Sequence, residues 1–119
     1  DSQALSIIRQ AALELGVEQR SFADDEIRER LFLPIVNEGA RVLEQGIALR
    51  ASDIDVAWIN GFGFPAYRGG PMHWAEQLGL NRVVAMAERL GADFGPRWQP
   101  SALLKDLAAK GRGWAEAGY

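Results

Sequence analysis

The residues able to do chemistry are few, and the most suggestive lie between Ser52 and His73. Gly61, Gly63 and Ala66 fit the spacing G-x-G-x-x-A, and the run DVAWIN just before Gly61 has the look of a strand. That spacing is the fingerprint of a turn that holds a dinucleotide pyrophosphate. It requires a helix to open at the second glycine, so that the first free amides meet the phosphate. Here Pro65, followed by Gly69, Gly70 and Pro71, keeps the chain from becoming helical. No strand–helix–strand unit follows, and the phosphate-loop reading is rejected. His73 is the only histidine. With no second ligand at helical spacing it points to no metal site, and beside Met72 and Trp74 it reads as a packing or surface residue. Ser52 precedes Asp53 and Asp55, but no base is placed to activate its hydroxyl. It reads as a helix cap, with Asp55 completing an acidic variant of the capping box. Asp53, Asp55, Glu76 and Glu88 are expected on solvated faces. No catalytic, cofactor-binding or metal-ligating residue is assigned.

One carboxylate stands out for its setting. Glu38 falls on an apolar stripe between Ile35 and Val42, where it must find donors or reach water. The segment Gly61–Pro71, GFGFPAYRGGP, holds four glycines and two prolines in eleven residues, which makes it a shaped loop with free amides. The expectation is that Glu38 accepts hydrogen bonds from that loop or from Arg68.

These groups are positioned by helices. Asp24–Gly46 reads as one long helix of roughly 33 Å. Ile27, Leu31, Ile35 and Val42 repeat at helical spacing, with Phe32, Val36, Leu43 and Ile47 beside them, which predicts burial over a wide face. Asp24 or Ser21 is the expected cap, and Pro34 should kink the helix. Asp1–Gly16 forms an earlier helix with Leu5, Ile8, Ala12 and Leu15 on one face. Further helices are expected from Ser52, from Pro71 to near Gly79, from an Asn81 cap to Gly91, and from Pro100 or Ser101 onward. The stretch 92–100 reads as loop, and 112–119 as a loose tail apart from Trp114. No strand-length alternation, repeat or low-complexity segment occurs. The fold class is all-α, with about six helices around one long central helix.

Composition narrows the rest. A chain of 119 residues suits a single helical domain over 1–119. The net charge of −3 argues against a broad nucleic-acid surface, and no run approaches the length of a membrane span. The absence of cysteine excludes disulfides and thiolate chemistry and fits a reducing compartment, read as cytoplasmic. The chain opens at Asp1 without methionine, and a fragment of a larger chain is expected.

Three runs carry a resemblance: Asn37–Gly46 (NEGARVLEQG), Ser52–Asp55 (SDID) and Gly63–Pro71 (GFPAYRGGP). Ser21–Gly79 resembles the C-terminal helical domain of the 3-hydroxyacyl-CoA dehydrogenase family, and more narrowly the last helical repeat of multifunctional fatty-acid β-oxidation enzymes. The resemblance implies a fold like the C-terminal domain of 6-phosphogluconate dehydrogenases. It also implies a parent chain that oxidises L-3-hydroxyacyl-CoA with NAD and hydrates enoyl-CoA. In that family the nucleotide fold and the His–Glu proton-transfer pair lie upstream. The catalytic copy of the repeat carries an asparagine before an R-L-x-x-P run; here Glu29 precedes Arg30–Pro34, and Asn37, two turns on, cannot replace it. The copy thus resembles the non-catalytic repeat, which docks on the first repeat. Its implied partners are that repeat, the dehydrogenase and hydratase domains, and the acyl-CoA substrate of the parent; NAD belongs to the parent alone. Glu38, Gly63, Phe64, Pro65, Arg68, Gly69, Gly70 and Pro71 are the structural and interface candidates, with Trp98 and Trp114 as exposed aromatics beside them. The alternative is a free-standing helical module that binds acyl-CoA or a protein.

Overall fold

Glycine punctuation divides the chain into six helices. The computed structural model describes residues 1–119: α1 Ser2–Glu14, α2 Asp24–Glu44, α3 Ala51–Phe62, α4 Pro71–Leu78, α5 Leu80–Phe94 and α6 Ala102–Lys110. Short 3₁₀ turns occupy Ala66–Arg68, Pro96–Trp98 and Ala115–Ala117, and there is no strand. DVAWIN is therefore helical, and Gly63 ends a helix rather than opening one.

The core gathers on one side of α2. Leu33, Val36, Ala40 and Leu43 are almost fully buried and meet Met72 and Ala75 of α4, Val83 and Leu90 of α5, and Leu104 and Leu107 of α6. Burial of each such Val or Leu contributes about 1.5–3 kcal/mol. Of the two expected stripes, Val36 and Leu43 are buried and Phe32, Ile35 and Val42 half-buried, while Ile27, Leu31 and Ile47 are exposed. Apolar residues surround α2 at Leu31–Val36, so periodicity fixed the helix and only one edge of its buried face. α2 runs through Pro34, whose ring faces solvent.

Several boundaries differ from expectation. No side chain caps α2; Ala23 holds that position, and Asp24, Asp25 and Glu26 instead line the positive end of the helix dipole. α3 opens at Ala51, after Arg50, so Ser52 is an exposed first-turn residue rather than a cap. α5 starts at Leu80 and passes through Gly91 to Phe94, absorbing part of the expected loop. Ser101 does cap α6, its hydroxyl accepting from the Leu104 amide at 3.2 Å. Pro71 opens α4 as expected.

The tail is held in place. The Trp114 ring is buried in the core cluster, its indole Nε1 donates to the Met72 carbonyl (3.0 Å), and its amide donates to Glu76 (2.8 Å). α1 behaves oppositely. It buries no residue, and Leu5, Ile7, Ile8, Leu13 and Leu15 are all more than half exposed. The radius of gyration, 16.6 Å, exceeds the roughly 13.5 Å expected of a compact chain this long, because α1 stands away from the body.

Candidate docking site

Gly63–Pro71 links α3 to α4 and is anchored from below. α3 ends with Gly63 left-handed (φ 72°), and the Phe64 amide bonds back to the Trp58 carbonyl at 3.0 Å. This six-residue return closes the last carbonyls of the helix. Phe64 is then driven inward, its ring 4.6 Å from that of Phe32, which in turn meets Trp74 edge-on at 5.1 Å. The Pro65 carbonyl accepts from the Arg68 amide (2.9 Å), and Gly69 turns the chain with φ 75°.

The first amides of α4 need an acceptor, and neither Gly70 nor Pro71 has a side chain to supply one. Asp55 does. From the inward face of α3 its carboxylate accepts from the amides of Met72 (2.7 Å) and His73 (3.1 Å). Gly70 is required here twice over: its φ is 106°, and a Cβ would overlap the Asp55 carboxylate. Burial pushes the Asp55 carboxyl above its ordinary range, against the pull of the two amides.

The expected partner of this loop was Glu38, and the structure corrects that. The Glu38 side chain is 66% exposed and meets only Arg41, at 3.4 Å. Arg68 stacks on Tyr67 instead, and its Nε donates to the Tyr67 hydroxyl at 3.3 Å. Asp55 and Glu76, expected on solvated faces, each hold backbone amides of a distant segment; Asp53 pairs with Arg50 (2.8 Å). Trp114 is buried and Trp98 half-buried against the core, so neither is an exposed aromatic. Asn37, next to Glu38, is buried and clamps a second corner. Its Nδ2 donates to the Gln99 carbonyl (2.8 Å) and its Oδ1 accepts from the Ser101 amide (2.7 Å). The signals for these residues lay in what they serve: a helix starting Gly-Pro with no cap, and a Pro-Ser corner with an unpaired amide.

Glu38 borders a different feature. An open groove of about 290 Å³ runs between α2 and α3, walled by Ile35, Val42, Ile54, Ala57, Trp58 and Phe62. Gly39 sits on its floor, where a Cβ would come within 2.5 Å of the Met72 sulfur; only glycine lets α2 approach α4 this closely. Leu31 and Phe62, 61% and 72% exposed, extend the apolar surface beyond the groove. The α2 residues along this face, Leu31 exposed and Ile35 and Val42 half-buried, come from the first of the two stripes expected in the core.

No cluster of three metal-ligating side chains occurs, and His73 points to solvent beside Gly69. The chemistry this surface offers is apolar recognition between rigidly clamped helices. No helix is long and apolar enough to cross a membrane.

Comparison with known proteins agrees. The profile described as "3-hydroxyacyl-CoA dehydrogenase, C-terminal domain" matches residues 27–118. The chain is 42% identical over 88 residues to the glyoxysomal fatty acid beta-oxidation multifunctional protein MFP-a of Cucumis sativus, covering 74% of this chain and 12% of that protein. It is 43% identical over 98 residues to the peroxisomal bifunctional enzyme of Danio rerio (81% and 14%). Against the fatty acid oxidation complex subunit alpha of Acinetobacter baumannii it is 39% identical over 95 residues (80% and 13%). The chain spans about an eighth of the length of these relatives. It belongs to the 3-hydroxyacyl-CoA dehydrogenase family, as that family's C-terminal helical domain.

Proposed function

We propose that this chain is the docking domain of a fatty-acid β-oxidation enzyme and supplies no reacting group of its own. The parent reaction is NAD-dependent oxidation of L-3-hydroxyacyl-CoA to 3-ketoacyl-CoA, with hydration of enoyl-CoA by the same polypeptide. NAD and acyl-CoA are bound by upstream domains. The partner of this domain is the upstream helical repeat, received on the α2–α3 face. The observation that carries the reading is the apolar groove and its exposed flanks at Leu31 and Phe62, on a chain without a nucleophile–base pair. Such a face loses apolar surface to water only when another helix covers it. Gly63, Phe64, Pro65, Arg68, Gly69, Gly70 and Pro71 brace the α3–α4 corner from which Trp58 and Phe62 project; Glu38 sits at the rim of the groove. The compartment proposed is the cytoplasm, in keeping with a chain that has no cysteine.

Calorimetry on the purified chain tests this. The expected result is no saturable micromolar binding of NAD, no turnover of hydroxyacyl thioesters, and micromolar binding of the upstream helical repeat supplied in trans. Turnover by the chain alone overturns the proposal, as does tight NAD binding.

A further inference from the structure

Residues 17–23 carry the chain from α1 to α2, and their side chains stack in an ordered column. Arg20 donates from both terminal nitrogens to the Glu26 carboxylate, one bond measuring 2.9 Å. The same guanidinium lies 3.9 Å from the centre of the Phe22 ring, and that of Arg30 lies 5.2 Å from it. Arg30 in turn donates from Nε to Glu26 (3.1 Å) and sits over the ring of Phe94 at the end of α5 (4.3 Å). Cation and ring thus alternate from the strap to the body: Arg20, Phe22, Arg30, Phe94. We infer that this column is a clasp, which fastens the 17–23 strap to the α2–α5 face and confines α1 to the side of the molecule away from the α2–α3 groove. The clasp stands whether or not that groove receives the upstream repeat.

Glu26 is the fastener. Its two oxygens take the bonds of both arginines, whereas Glu29, one turn on, is engaged by Arg89 of α5 at 3.0 Å. The clasp also lies across α2 from the groove. With roughly 3.6 residues per turn, Glu26 and Arg30 project about 130° around the helix from Ile35, Glu38 and Val42, which line the groove.

Closing the clasp shortens the leash of α1. The end of that helix is fixed, since the Val17 amide returns to the Ala12 carbonyl (2.9 Å). With Arg20 fastened, three residue steps separate Val17 from its anchor, a reach of at most about 11 Å. With the clasp open, seven steps run to Asp24, and the reach grows to about 25 Å. α1 buries no residue, which leaves the strap as its hold on the body. The Arg20 side chain is 47% exposed, so the clasp is reversible: ion pairs and cation–π contacts in water are individually weak, and salt screens them.

Double electron–electron resonance on the intact chain tests this. The chain has no cysteine, so spin labels can be placed through Glu14→Cys on α1 and Glu88→Cys on α5, both exposed positions. One narrow distance distribution is expected at low salt, broadening in about 0.5 M salt. Glu26→Gln and Phe22→Ala should each raise the population outside that peak about 10-fold, since each removes contacts to both arginines. A second readout is the Arg30 Nε–H resonance, displaced by the two rings that flank it, which should return toward its ordinary position in Phe22→Ala. Neither Glu26 nor Phe22 belongs to the core, so far-UV circular dichroism should show the helix content kept. A parent distribution as broad as that of Glu26→Gln overturns the clasp, as does an Arg30 resonance indifferent to Phe22→Ala.

Discussion

Removing the Asp55 carboxylate should cost more stability than any other change at the α3–α4 corner. The side chain accepts two backbone amides, at 2.7 and 3.1 Å, at the start of α4, where Gly70 and Pro71 provide no alternative. A hydrogen bond to a charged group contributes about 1.5–3 kcal/mol net, and an orphaned buried amide costs about 1–3 kcal/mol. Truncation also relieves the burden of a buried charge, so Asp55→Ala is set at about 3 kcal/mol. For a chain of this size that is a fall in melting temperature of about 12 °C. Asp55→Asn keeps one acceptor oxygen and turns an amide group toward a backbone N–H; about half the loss is expected. The pH dependence carries a definite sign. Burial raises the folded carboxyl above its ordinary value of 3.8, so the folded state holds the proton more tightly than the unfolded one. The contribution of Asp55 therefore grows as pH falls through the raised value toward 3.8, and the gap between the parent chain and Asp55→Asn should widen over that window. Circular dichroism melts at pH 7 and pH 4 measure both effects. An Asp55→Ala melting temperature within 2 °C of the parent would refute the assignment of this carboxylate as the anchor of α4.

Three other perturbations separate the clamps from the bystanders. Asn37→Ala loses the bonds to Gln99 and Ser101 and should lower stability by about 2–3 kcal/mol, with faster hydrogen exchange at the Ser101 amide. Glu38→Gln, by contrast, should leave the melting temperature unchanged, since its only contact is a loose ion pair in water. Glu26 is held down to about 2, first by its hydrogen bond from Arg20 and then by Arg30. Its contribution is present above the ordinary value near 4.5 and lost as pH falls toward 2. Carboxyl NMR should find that low midpoint, and Arg20→Gln should move it upward.

What could be read from the residues, and what could not, follows from the kind of constraint involved. Helix ends were legible where backbone chemistry is local: Pro71 fits the first turn of a helix, and Gly16 and Gly79 stop one, whereas the end of α3 at Gly63 lay inside a stretch read wholly as loop. The all-helical class followed from spacing, and the family from three short runs. Phase and partnership were not legible. Leu31–Val36 is apolar around most of the helix, so the sequence admits two rotations of α2, and only the positions of α4, α5 and α6 select Leu33, Val36, Ala40 and Leu43 as the buried set. The same limit misassigned the carboxylates. Glu38 and Asp55 both lie beside apolar residues on their helices, and nothing local distinguishes an acid facing an open groove from one facing the bare amides of a helix seventeen residues later. Trp114 repeats the point, since a tryptophan in a glycine-rich tail is fixed by Met72 and Glu76, which are distant in sequence. The first stripe on α2 shows the limit most directly. Ile27, Leu31, Ile35 and Val42 keep the periodicity of a buried face although Ile27 and Leu31 are exposed and Ile35 and Val42 only half-buried, so spacing alone does not tell how far a face is covered.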